Sequence, residues 1–157
     1  MHPVSICELP EQRYLGLIHT GPYPTISSTF VKALDAVTAH NLWPQAKAVM
    51  ATYFDDMTQV APEKLRSLAG IFVDPGVAVP EGMTDGYVAG GRYAKMVYTG
   101  PYSGISQAYG DLYGTWMAQN GETPSYGPSF EIYPNSPSDT PEDQLITEIY
   151  APLSSKP

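Results

Sequence analysis

Glu131 is the carboxylate whose neighbours set it apart in this sequence. It sits in Ser129-Phe130-Glu131-Ile132-Tyr133, between bulky side chains and bounded by turn-forming residues, which is the pattern of a short strand. Successive strand side chains point to opposite faces, so Phe130 and Ile132 face one way while Glu131 and Tyr133 face the other. Two arrangements satisfy this. If Phe130 and Ile132 face solvent, Glu131 lies in the interior with Tyr133. If they pack in the core, Glu131 is the outward polar residue of a half-buried strand. Period alone favours the second, because carboxylates are seldom fully buried. An aromatic set accompanies the carboxylate: Tyr102, Tyr109, Tyr113, Trp116, Tyr126 and Tyr133. A Tyr/Trp stripe at helical spacing is ordinarily core. The hydroxyls qualify that reading, since a buried tyrosine needs a hydrogen-bond partner and several beside one carboxylate suit a partly polar cavity.

Other chemistries find no support. Gly104-Ile105-Ser106-Gln107-Ala108 lacks the last glycine of a nucleophile elbow, and the glycines fall at strand ends and turns instead of in a phosphate-cradling loop. Cys7 is alone, and His2, His19 and His40 show no metal-ligand spacing, so neither a metal nor another cofactor is expected. Eight basic against 16 acidic side chains give a net charge of −8, which disfavours direct nucleic-acid binding. No run approaches a membrane span, and the N-terminus lacks a basic and an apolar leader region; a cytoplasmic protein without membrane contact is expected.

The elements that must position Glu131 are marked by internal similarity. Ile18-His19-Thr20-Gly21-Pro22-Tyr23 returns as Val97-Tyr98-Thr99-Gly100-Pro101-Tyr102, an offset of 79 residues from Thr20 to Thr99. The same offset relates Ile26 to Ile105, Phe30 to Tyr109 and Pro62-Glu63 to Pro141-Glu142, and it matches Glu131 with Thr52. Shared spacing over several landmarks indicates a tandem unit. Its copies cover about residues 4–74 and 87–153, with a Pro- and Gly-rich connector at about 75–86.

Alternation in Val4 to Leu9 and Arg13 to Thr20 predicts two strands of a hairpin, and strands follow over residues 48–54 and 68–73. Ile26, Phe30, Ala33, Leu34 and Val37 predict one amphipathic helix. Ile105, Ala108, Tyr109, Leu112, Tyr113, Trp116 and Met117 predict a stronger one, with Ser103 as N-cap. Tyr87 to Tyr98 reads as extended chain bent at Gly90-Gly91, and residues 130–133 and 145–151 as closing strands. The class is α+β: a tandem strand-helix-strand-strand unit, a curved and largely antiparallel sheet, and two main helices.

The two Gly-Pro-Tyr steps, Tyr53-Phe54-Asp55-Asp56 before Pro62-Glu63-Lys64-Leu65, Gly90-Gly91-Arg92-Tyr93-Ala94 and Phe130-Glu131-Ile132-Tyr133 together resemble the GyrI-like small-molecule-binding family. That family includes DNA gyrase inhibitory proteins and the effector-binding domains of AraC- and MerR-type regulators. The resemblance implies a single domain with a central pseudo-two-fold cleft, into which the Glu of the Phe-Glu-x-Tyr strand points. For Glu131 it thereby reverses the arrangement that periodicity alone favours. It further implies a ligand-binding set of Glu131, Tyr133, Trp116, Tyr113, Tyr109, Tyr102, Tyr126, Tyr53 and Tyr23. A carboxylate in such a cleft suffers desolvation, and a lipophilic cation supplies the countercharge while aromatic faces add cation–π attraction. The expectation is a stand-alone binding module, without the DNA-binding domain of the regulators, that senses or sequesters amphipathic cations. Two alternatives come with the family. One is hydrolysis of cyclopropane-containing toxins, with Glu131 as general base and Tyr133 assisting; the other is inhibition of gyrase through protein contact.

Overall fold

The computed structural model describes residues 2–155. Among them the chain forms eight strands and two main helical segments, and it divides into two compact units: Glu11–Ala89, and residues 2–10 together with 90–155. The Gly-Pro-Tyr step has the same structural task in each. Gly21 and Gly100 take φ of 132° and 146°, a region that side chains with a Cβ avoid. Their N–H groups donate to Leu65 O and Leu145 O, both at 2.8 Å. The proline that follows needs no partner for an N–H, and its fixed φ leads into a 3-10 turn, Tyr23–Ile26 or Tyr102–Gly104, that opens the helix. The second helix is entered through Gly104 with no side-chain cap, so Ser103 is not its N-cap.

In the Glu11–Ala89 unit, β2 (Gln12–Thr20) lies between β4 (Arg66–Val73) and β5 (Thr84–Val88), and β3 (Ala48–Tyr53) pairs with the other edge of β4, all antiparallel. Helix α1 (Ser27–Ala39) buries Ala33 and Val37, the latter in a cluster with Leu15, Ile71 and Val73. In the other unit, β6 (Gly91–Thr99) lies between β1 (Val4–Leu9) and β8 (Ile146–Pro152), and β7 (Ser129–Ile132) completes the set on β8. Its helical segment packs Ala108, Leu112 and Met117 onto Ala94, Met96, Ile149 and Ala151.

Two sequence-based expectations change here. The β1–β2 hairpin does not form, because β1 pairs with β6 from Val4↔Met96 to Leu9↔Gly91 while β2 gives both edges to β4 and β5. The stretch expected as connector and single extended run contains β5, which ends at Val88; Gly91, at φ 144°, then opens β6. Periodicity identifies a strand without saying which edge it joins.

The register between corresponding positions also shifts. Arg13 and Arg92 stand 79 apart and make matching bonds, to Asp74 O at 3.2 Å and Ser154 O at 3.0 Å. Those two acceptors stand 80 apart, as do the helix-end bonds Leu42 N–H to Val37 O and Glu122 N–H to Met117 O. One extra residue therefore enters within the second helix. That helix runs as α2 (Ile105–Gly110), a π-helical segment (Asp111–Trp116) and α3 (Met117–Gln119), not as the uninterrupted α-helix its spacing predicts. The wide turn places the buried Leu112 and Met117 five residues apart where Ala33 and Val37 are four apart. The core contacts are kept and the surplus is absorbed in the backbone. With the shift counted, Glu131↔Ile149 matches Ala51↔Ala69, so the counterpart of Glu131 is Ala51, not Thr52.

Candidate functional site

Strand β7 is buried on both faces, an arrangement outside the two that alternation offered. Phe130 stacks on Tyr150 at 4.6 Å with 9° between the rings, and Tyr93 meets Phe130 edge-on at 5.3 Å. Glu131 points the other way, to the helix-covered side with Ile149 and Met96, and is 2 % exposed. A carboxylate there is costly unless hydrogen bonds replace its water. Tyr109, from α2, donates to Oε2 at 2.6 Å, and Tyr133, just beyond β7, donates to Oε1 at 2.5 Å. Each oxygen thus receives one phenol, and charge-assisted bonds of this kind are short and strong.

Rings extend the site from both phenols. Tyr102 lies edge-on to Tyr133 at 6.0 Å and 73°, and Tyr113 stacks against Tyr109 at 6.2 Å and 12°. Burial raises the Tyr102 phenol above its ordinary value, with the negative charges of Glu131 and Asp139 adding to the shift. Tyr113 keeps about a third of its surface in solvent, and loss of water around its hydroxyl pushes the phenol up to about 12. Both are therefore neutral phenols at physiological pH, with polar tips and apolar faces.

The other members of the expected set have the following surroundings. Trp116 packs against the core cluster beneath the helix. Tyr126 is fully exposed in the loop before β7 and contributes nothing to the enclosure of Glu131. Tyr23 and Tyr53 belong to the Glu11–Ala89 unit, edge-on to each other at 4.9 Å, with the Tyr23 hydroxyl donating to Asp55 O at 2.6 Å. They repeat the Tyr102–Tyr133 pair at corresponding positions, but Ala51 stands where the carboxylate would be.

Sequence reasoning passed over Thr147. It is fully buried on β8, on the same face as Ile149 and opposite Tyr98. The available signal was one hydroxyl in the otherwise apolar alternation of Leu145, Thr147, Ile149 and Ala151. Among the described residues no group of three or more His, Cys, Asp or Glu is placed to hold a metal ion, and no helix is long and apolar enough to cross a membrane.

Known proteins show matching features. A family model described as GyrI-like small molecule binding domain matches residues 2–154. The probable transcriptional regulator YgiV of Escherichia coli K12 is 29% identical over 102 residues, 64% of this chain and 64% of YgiV, so the match spans somewhat under two thirds of that relative. A DNA gyrase inhibitor of Serratia proteamaculans is 27% identical over 136 residues, covering 84% of this chain and 86% of that one. Among solved structures, SAV2435 bound to tetraphenylphosphonium superposes with a TM-score of 0.71 over 97% of this chain and 94% of its own, at 15% identity; this is a likeness of fold. On the family match, which spans nearly the whole sequence, the chain belongs to the GyrI-like small-molecule-binding domain family.

Proposed function

We propose that this protein holds amphipathic, aromatic cations against Glu131 and so senses or sequesters them, giving protection from toxic compounds. One observation carries the reading: a carboxylate only 2 % exposed, with a phenol on each oxygen. The phenols fix its orientation and favour its charged form. Tyr102 and Tyr113 add ring faces, which attract cations and provide contact area without demanding one shape. The tetraphenylphosphonium in SAV2435 supports this ligand class. The reading takes the two halves as a tandem duplication in which only the second carries the carboxylate. Calorimetry with tetraphenylphosphonium tests it. Binding to wild type should weaken roughly 10- to 100-fold in Glu131→Gln, the worth of one charged partner. Equal binding to both proteins would refute it.

Hydrolysis of a strained-ring toxin is a second reading of the same pair, favoured by Tyr133 standing 2.5 Å from Glu131 Oε1. Two phenol donors stabilise the ionised carboxylate and so blunt it as a general base, which favours binding over turnover. Turnover of a cyclopropane-containing substrate that vanishes in Glu131→Gln would reverse that preference. Gyrase inhibition, the activity in the Serratia relative's name, is checked by a supercoiling assay at low salt, where a charge of −8 acts most strongly.

A further inference from the structure

We propose that Thr147 is a polar subsite beside Glu131, which takes a hydroxyl or similar hydrogen-bonding group carried close to the charge of the bound cation. This rests on the reading of Glu131 as a cation site and specifies the ligand class. Thr147 is 0% exposed, and its Oγ1 has no hydrogen-bond partner among the described residues. A buried hydroxyl left unpaired is a standing cost that valine, of the same shape, would remove.

The ladder places this hydroxyl. Glu131 is opposite Ile149, and Thr147 is two residues before Ile149 on β8, so Thr147 lies on the Glu131 face and diagonal to the carboxylate. Diagonal neighbours on one face of a ladder are about 7–8 Å apart, within the span of a small ligand. Leu145, two residues earlier on the same row, lines a pocket of about 310 Å³ with Tyr102, Ser103, Pro137, Thr140 and Glu142. Tyr102 is the ring that meets Tyr133 edge-on. Leu145, Thr147 and Ile149 therefore follow one another along one row, from the pocket wall to the residue that Glu131 faces across the ladder from β7. A threonine hydroxyl both donates and accepts, so the group it takes is a hydroxyl, ether or carbonyl two or three bonds from an ammonium or phosphonium centre.

Ser67 provides an internal control. It occupies the corresponding position on β4, is equally buried and unpartnered, and lies opposite His19 in the unit that has Ala51 where Glu131 would be. Without a carboxylate, its hydroxyl has no cation to read beside.

The test is a matched pair, ethyltriphenylphosphonium and (2-hydroxyethyl)triphenylphosphonium, titrated calorimetrically into wild type, Thr147→Val, Thr147→Ser and Ser67→Ala. Wild type should bind the hydroxylated compound about tenfold more tightly, the worth of one good hydrogen bond. That ratio should fall to about one in Thr147→Val and persist in Thr147→Ser and Ser67→Ala. Ligand-free Thr147→Val and Ser67→Ala should both melt at a higher temperature than wild type. A wild-type ratio near one, or a ratio surviving in Thr147→Val, would overturn the subsite; Thr147→Ala replaces that variant should it fail to fold. If the ethyl compound binds wild type and Glu131→Gln equally, the cation reading falls and the subsite with it. Glu131-dependent binding without a hydroxyl preference overturns the subsite alone.

Discussion

At the scale of single residues, the buried Glu131 carboxyl group is hydrogen-bonded by protein hydroxyls in place of water. Removing either donor takes a hydrogen bond from a buried carboxylate oxygen. Tyr133→Phe and Tyr109→Phe should each lower stability by about 1–3 kcal/mol in urea at pH 7. Changes within experimental error would mean that the two phenols do not support the carboxylate. The Tyr113 phenol, raised to about 12, makes a pH prediction. Its native value lies above the ordinary value of about 10, so its contribution is intact below pH 10 and is lost as pH rises towards 12. Thermal melts across that window should fall more steeply for wild type than for Tyr113→Phe. The residues around this site were partly legible in the sequence. The family resemblance carried by the Phe-Glu-x-Tyr strand pointed to Glu131 and Tyr133, and the tyrosine excess beside it included Tyr109. Face-by-face alternation could not confirm them, because it assumes one solvated face and β7 has none. Tyr126 is fully exposed, and aromatic composition says nothing about which rings a loop leaves in water.

At the scale of elements, the π-helical segment Asp111–Trp116 follows directly on the turn that carries Tyr109, and Tyr113 lies within it. The corresponding helix α1, in the unit lacking the carboxylate, is an ordinary α-helix. Wide turns of this kind recur at functional sites and are locally less favourable than α-helix. Deleting Gly114 should restore four-residue spacing between the two buried anchors, as between Ala33 and Val37. The expected result is a melting temperature at or above that of wild type together with about tenfold weaker binding of tetraphenylphosphonium, a trade of function for stability. Unchanged affinity would show that the wide turn has no part in placing the stacked tyrosines. The extra residue was hidden in the sequence because Ile105, Ala108, Leu112, Trp116 and Met117 also satisfy a regular helical period. The bond pattern at the helix end and the strand registers beyond it, matched at 80 where the helix start is matched at 79, expose it.

At the scale of the whole molecule, the N-terminal strand completes the later unit: β1 covers one edge of β6, and β8 takes the other. Removing residues 2–9 should therefore speed amide exchange in β6 far more than in β2, although β2 is nearer in sequence. The opposite order would contradict the observed pairing. The fold class and most element positions were legible, because the Gly-Pro-Tyr steps and alternating stretches are local signals. The partner of β1 was not, since a six-residue strand carries no mark of which distant edge it joins. On the proposed reading, the buried Glu131 carboxylate gives the site a preference for charged ligands. Its most direct test is the ratio of affinities for ethyltriphenylphosphonium and neutral triphenylphosphine oxide, measured in wild type and in Glu131→Gln. A wild-type preference for the cation of about tenfold or more, shrinking towards one in the variant, is the predicted result. The same ratio in both proteins would mean that charge recognition, if the protein has it, does not come from Glu131.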